Sequence, residues 1–73
     1  MDNNDLKNLR EDLAGELQAI NQYQEHIDKT NNEKIKKVLS HIRDDEKEHF
    51  AELVKLIREL DPTQKEKFQK EKL

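Results

Sequence analysis

The chain has 73 residues, of which 32% are hydrophobic and 42% charged in mixed signs, for a net charge of −3. That length supports one small domain with a marginal core, and the absence of cysteine excludes disulfides and thiolate metal sites. Slight acidity without a basic patch argues against nucleic acid, and no apolar run reaches membrane-spanning length. The N-terminal stretch MDNNDLKNLRED lacks the basic and apolar segments of a secretory signal, so a cytoplasmic location is expected. With no other staple available, oligomerisation is the expected source of added stability.

A first helix is predicted over about residues 5–29. Leu6, Leu9, Leu13, Leu17, Ile20 and Ile27 recur at helical steps and fall in a stripe roughly 80° wide. Gly15 is its weak point, costing ~1 kcal/mol relative to alanine. Thr30 followed by Glu33 has the form of a capping box, which places a second helix over about 31–60. Its apolar positions are Ile35, Val38, Leu39, Ile42, Phe50, Leu53, Leu56, Ile57 and Leu60, ending before Asp61-Pro62. A connection this short makes the two helices an antiparallel hairpin.

Asp61-Pro62-Thr63-Gln64 repeats the start grammar and predicts a short helix over about 62–71. Phe68 is its large apolar residue, expected either to dock weakly or to contact another subunit. The fold class is therefore all-α: a two-helix hairpin plus a short C-terminal helix. Two helices leave an apolar flank open, and a second copy would complete a four-helix bundle.

The informative residues are polar ones inside these stripes. Glu16 sits among Leu9, Leu13, Ile20 and Ile27, and Tyr23 follows one heptad later. In the second helix Glu46-Lys47-Glu48-His49 is a Glu-x-x-His whose two ends share the stripe with Ile42, Leu53 and Leu56. Both are expected to point into the core, whereas Glu48 points elsewhere. Burying ionised carboxylates unpartnered costs several kcal/mol or more, so the groups protonate or find a cation. No Lys or Arg lies near them on either stripe, and a metal ion would supply the charge.

Depth gives an independent check. The midpoint of Glu16 and Glu46 falls at residue 31, inside the turn, so the two lie side by side roughly 22 Å from it. His49 is one turn farther on. One Glu plus one Glu-x-x-His is half the ligand set of carboxylate di-iron bundles, and a two-fold dimer would supply the whole. Oxygen-rich ligands with two imidazoles suit iron or manganese, and zinc can occupy such a site.

The competing readings are plain. A Glu/His pair at this spacing also arises on solvated helix surfaces, and Glu16 alone could pair with a lysine of another chain. Tyr23 reads equally as a core aromatic or as a hydrogen-bond donor to a ligand carboxylate. His26 and His41 lie off the stripes and read as solvent-facing. Asp45 reads as an exposed acid or as a partner orienting His49. The tail KEKFQKEKL reads as a solvated helix end.

The segments ELQAINQYQEHI and HIRDDEKEHFAEL resemble the encapsulated ferritins, short two-helix members of the ferritin-like superfamily, over about residues 5–62. The resemblance implies a homodimer that completes a di-iron centre, with dimers assembled into a ring. It implies ferroxidase activity, oxidising Fe(II) to Fe(III) for iron storage or detoxification. Glu46 would bridge two irons per dimer, Glu16 and His49 would be terminal ligands, and Tyr23 would join the catalytic set. An encapsulin shell is the implied partner and its interior the implied address. Gly15 and Gln18 stand where the resembled proteins carry extra acids beside the metal Glu, and Gln22 where they often carry Trp. The resemblance does not carry their outer iron-gathering site onto this chain. No shell-targeting tail follows KFQKEKL, so the expectation is either a piece of a longer chain or a protein working without a shell. The residues also leave open a metal-free helical assembly or adaptor, and a rubrerythrin-like peroxide-reducing di-iron protein.

Overall fold

The structure, a computed structural model, describes residues 3–73. Met1 and Asp2, which open the stretch read above for a secretory signal, lie outside them. Three helices account for nearly all of the rest: α1 (Asn3–Lys29), α2 (Glu33–Leu60) and α3 (Pro62–Lys70). No strand occurs among the described residues.

α1 begins about two residues before the predicted start, with Asp5 in its first turn, where an acid favours the positive end of the helix dipole. α2 begins two residues after the predicted start, and its cap is Asn32 rather than Thr30. Asn32 Oδ1 accepts from the backbone N–H of Lys34 at 3.0 Å and of Ile35 at 3.1 Å. Thr30 Oγ1 instead accepts from the N–H of Asn32 at 3.2 Å, which shapes the turn one step earlier. An amide oxygen that satisfies two orphan donors outcompetes a hydroxyl placed two residues too soon.

Asp61 carries three tasks at the far end. Its extended backbone (φ −115, ψ 100) suits a residue before proline, and its N–H closes α2 on Ile57 O at 2.8 Å. Its Oδ1 accepts from Gln64 N at 3.2 Å and so caps α3, as the sequence predicts. Its Oδ2 accepts from Arg10 Nη2 at 3.0 Å, tying that corner to α1. α3 folds back against the hairpin, where Phe68 lies under the Arg58 guanidinium, 5.3 Å from ring centroid to Cζ.

The result is a slab of 46 × 27 × 14 Å, one helix layer thick. Such a slab has no interior to speak of: Ile57, at 5% exposed, is the one buried side chain among the described residues. Val38 (52%), Leu17 (47%) and Leu56 (38%) remain open. The surface is 5851 Å², whereas a compact monomer of this 8.8 kDa mass exposes about 4,800 Å². No helix is long and apolar enough to cross a membrane.

Candidate metal centre

Glu16 enters from α1, and Glu46 and His49 enter from α2 one turn apart. The hairpin brings one ligand atom of each within 4.8 Å of the other two. His49 Nδ1 stands 3.6 Å from Glu46 Oε2 and 3.8 Å from Glu16 Oε2. Those separations are too long for hydrogen bonds. They suit donors that share an ion, since two atoms each ~2.1 Å from one metal lie about 3–4 Å apart.

The residues fit a divalent cation on a second count. Glu16 Oε2 is buried and has no hydrogen-bond partner. A buried acceptor left unpaired is costly, and no lysine or arginine is ion-paired with either ligand carboxylate among the described residues. Arg43 is as buried as Glu46, at 20% exposed, but its guanidinium is committed to Gln24 and Asp44. The Glu16 carboxyl is held above its usual range. The largest cause is the Glu46 carboxyl beside it, with which it forms a hydrogen bond only when one of the two carries a proton. Burial comes next, then the negative charges of Glu46 and Asp12, with His49 opposing between them.

The triad sits at an edge rather than in a core, which corrects the expectation that Glu46 and His49 point inward alike. The Glu46 and Glu16 side chains are 20% and 24% exposed, but His49 is 51% exposed. His49, Val38 and Leu56 lie within roughly 20° of one another around α2, on the side of the stripe that α1 does not cover. Beside His49 and Leu56 opens a groove of about 620 Å³, floored by Leu53 and Leu56 next to Gly15. Glu11, Asp12 and Glu52 stand on its rim. The sequence reading missed these acids, although Asp12 lies four residues before Glu16 and Glu52 three after His49, the spacings that share a helix face.

Tyr23 is half-buried on α1, two turns from Glu16 towards the interhelix turn, and is not part of the triad. Asp45 does not orient His49: its Oδ2 lies 3.4 Å from His41 Nε2, with both side chains largely exposed. His26 is exposed, as its position off the stripe implies.

A family model described as EncFtn-like matches residues 1–72. Two curated proteins of Myxococcus xanthus are similar to the chain. The encapsulin nanocompartment cargo protein EncC is 47% identical over 58 residues, covering 80% of this chain and 45% of its own length. The encapsulin nanocompartment cargo protein EncB is 35% identical over 69 residues, covering 94% of this chain and 44% of its own. The chain thus spans less than half the length of the curated relatives it matches. No solved structure matches. A match over almost the entire chain, on the helices that carry Glu16, Glu46 and His49, places it in the EncFtn-like family of encapsulated-ferritin-like proteins.

Proposed function

We propose that this chain binds and oxidises Fe(II) as a homodimer whose interface completes a two-iron site. The observation that carries the reading is the triad itself: two carboxylates and an imidazole within 4.8 Å, with a buried Glu16 oxygen that lacks any partner. The open face supports the second copy. The hairpin exposes about 1,000 Å² more than a compact monomer of its mass, close to the ~800 Å² each partner buries in an interface of standard size. A two-fold axis beside His49 would set two triads face to face, giving the four Glu and two His of a carboxylate di-iron bundle.

Each residue then has a task. The carboxylates of Glu11, Asp12 and Glu52 make the groove attractive to a hydrated cation. The Glu16 carboxyl, held above its usual range by its neighbours, must be ionised to bind a cation, so binding is linked to pH. Glu16, Glu46 and His49 hold the iron, and Leu53 and Leu56 exclude water once a partner covers them. Two Fe(II) ions give up one electron each. Dioxygen with two protons leaves as hydrogen peroxide, or peroxide with two protons leaves as water. The donor set also accepts manganese or zinc, neither of which would turn over in this way.

By likeness to the two cargo proteins we infer residence inside an encapsulin shell, and by the resemblance to encapsulated ferritins we infer ring assembly of the dimers. Tyr23 is proposed to face the site once the second copy is in place. Glu46→Ala is the direct test. It should lose iron binding and oxidation while keeping its helicity, and a variant that oxidises Fe(II) at the parental rate would refute the reading.

A further inference from the structure

We propose that Arg43 and Gln24 are positioning residues, whose hydrogen bond sets the register at which Glu16 meets Glu46 and His49. The inference rests on reading that triad as metal ligands. Arg43 Nη1 donates to Gln24 Oε1 at 2.8 Å, from α2 across to α1, in a half-buried setting. Both ends of this strut are themselves held. Arg43 Nε donates to Asp44 Oδ1 at 3.2 Å, and Gln24 Nε2 donates to Asp28 Oδ1 at 2.9 Å. The chain Asp44–Arg43–Gln24–Asp28 therefore fixes one point of α2 against one point of α1.

Its place gives it leverage on the site. Arg43 lies one turn before Glu46, and Gln24 lies two turns after Glu16, about 12 Å along α1. The other hydrogen bond from α1 in this direction, Arg10 to Asp61, lies at the far end of the hairpin, and the aliphatic side chains between have no directional preference. A slide of one residue moves a ligand by about 1.5 Å, whereas metal–donor distances tolerate only about 0.2 Å. A planar guanidinium held at both edges resists such a slide, as a flexible ammonium would not. Arg43 does not act as a counter-charge, since it is committed away from Glu16 and Glu46. Gln24 adds a second sign, because a polar residue here interrupts the apolar face of α1 between Ile20 and Ile27.

The test uses the full chain with Co(II) as probe, comparing the parent with Arg43→Met, Gln24→Leu and the double variant. Each single change should weaken Co(II) binding about 10- to 100-fold and alter the visible Co(II) spectrum. The double variant should be no weaker than the weaker single one, because both remove the same strut. Gln24→Leu changes no charge, so its loss separates positioning from electrostatics, and it serves if Arg43→Met fails to fold. Parental affinity and spectrum in the single variants, even with lower melting temperatures, would overturn the proposal. So would losses that multiply in the double variant. A parent that fails to take up one Co(II) per chain would overturn the metal reading itself, and this inference with it.

Discussion

Replacing Leu56 by alanine removes a side chain that is 38% exposed in the single hairpin and floors the groove beside His49. Full burial of a leucine is worth ~1.5–3 kcal/mol, so covering the exposed part with a second copy contributes ~0.6–1.1 kcal/mol. A two-fold dimer uses the residue twice, which gives ~1–2 kcal/mol and a dissociation constant weakened about 7- to 40-fold. The larger part of the side chain is already covered within its own hairpin, so the melting temperature should fall as well. Sedimentation velocity over a dilution series separates the two effects, with Lys47→Ala on the exposed face of the same helix as control. Saturating Co(II) should restore part of the lost dimer by mass action. If Leu56→Ala melts earlier yet dimerises as the parent does, the groove is not the interface.

Three further outcomes follow from the same contacts. A carboxyl raised above its ordinary 4.5 lends stability at low pH that is lost as pH rises through its folded value. Metal-free Glu16→Gln should therefore melt above the metal-free parent at pH 7, with the gap closing towards pH 4; a gap independent of pH would contradict the shared-proton description. Asp61→Ala removes a helix cap worth ~1 kcal/mol and a half-exposed bridge to Arg10 worth at most ~1 kcal/mol, so stability should fall by about 1–2 kcal/mol. Amide exchange should show α3 losing protection first. Gly15→Ala should raise hairpin stability by ~1 kcal/mol in thermal unfolding, because nothing lies within 4 Å of the added Cβ. A loss instead would mean that a neighbouring copy occupies that space.

The triad was legible in the sequence because helical period and turn position together fix both angle and depth. Glu16 and Glu46 are equidistant from the turn, and the structure places them in one cluster with His49. Periodicity gives a direction, however, and not how much a neighbour covers, so the exposure of His49 could not be read from the wheel. The cap of α2 was ambiguous for a different reason. Thr30, Asn31 and Asn32 can all cap a helix, and only the turn geometry selects Asn32. The Arg43–Gln24 strut was hidden because Arg43 stands at the edge of its stripe, and periodicity places Gln24 on the apolar face without naming its partner. Asp45 likewise has two histidines within one turn on its own helix, and side-chain direction favours His41.

Anaerobic titration of the parent chain with Fe(II), followed by native mass spectrometry, tests the central claim most directly. A site completed at a two-fold interface should appear as two chains carrying two irons, cooperatively formed, and Glu46→Ala should show neither. Single chains that gather iron in graded numbers, or a dimer whose mass and stability ignore iron, would contradict it.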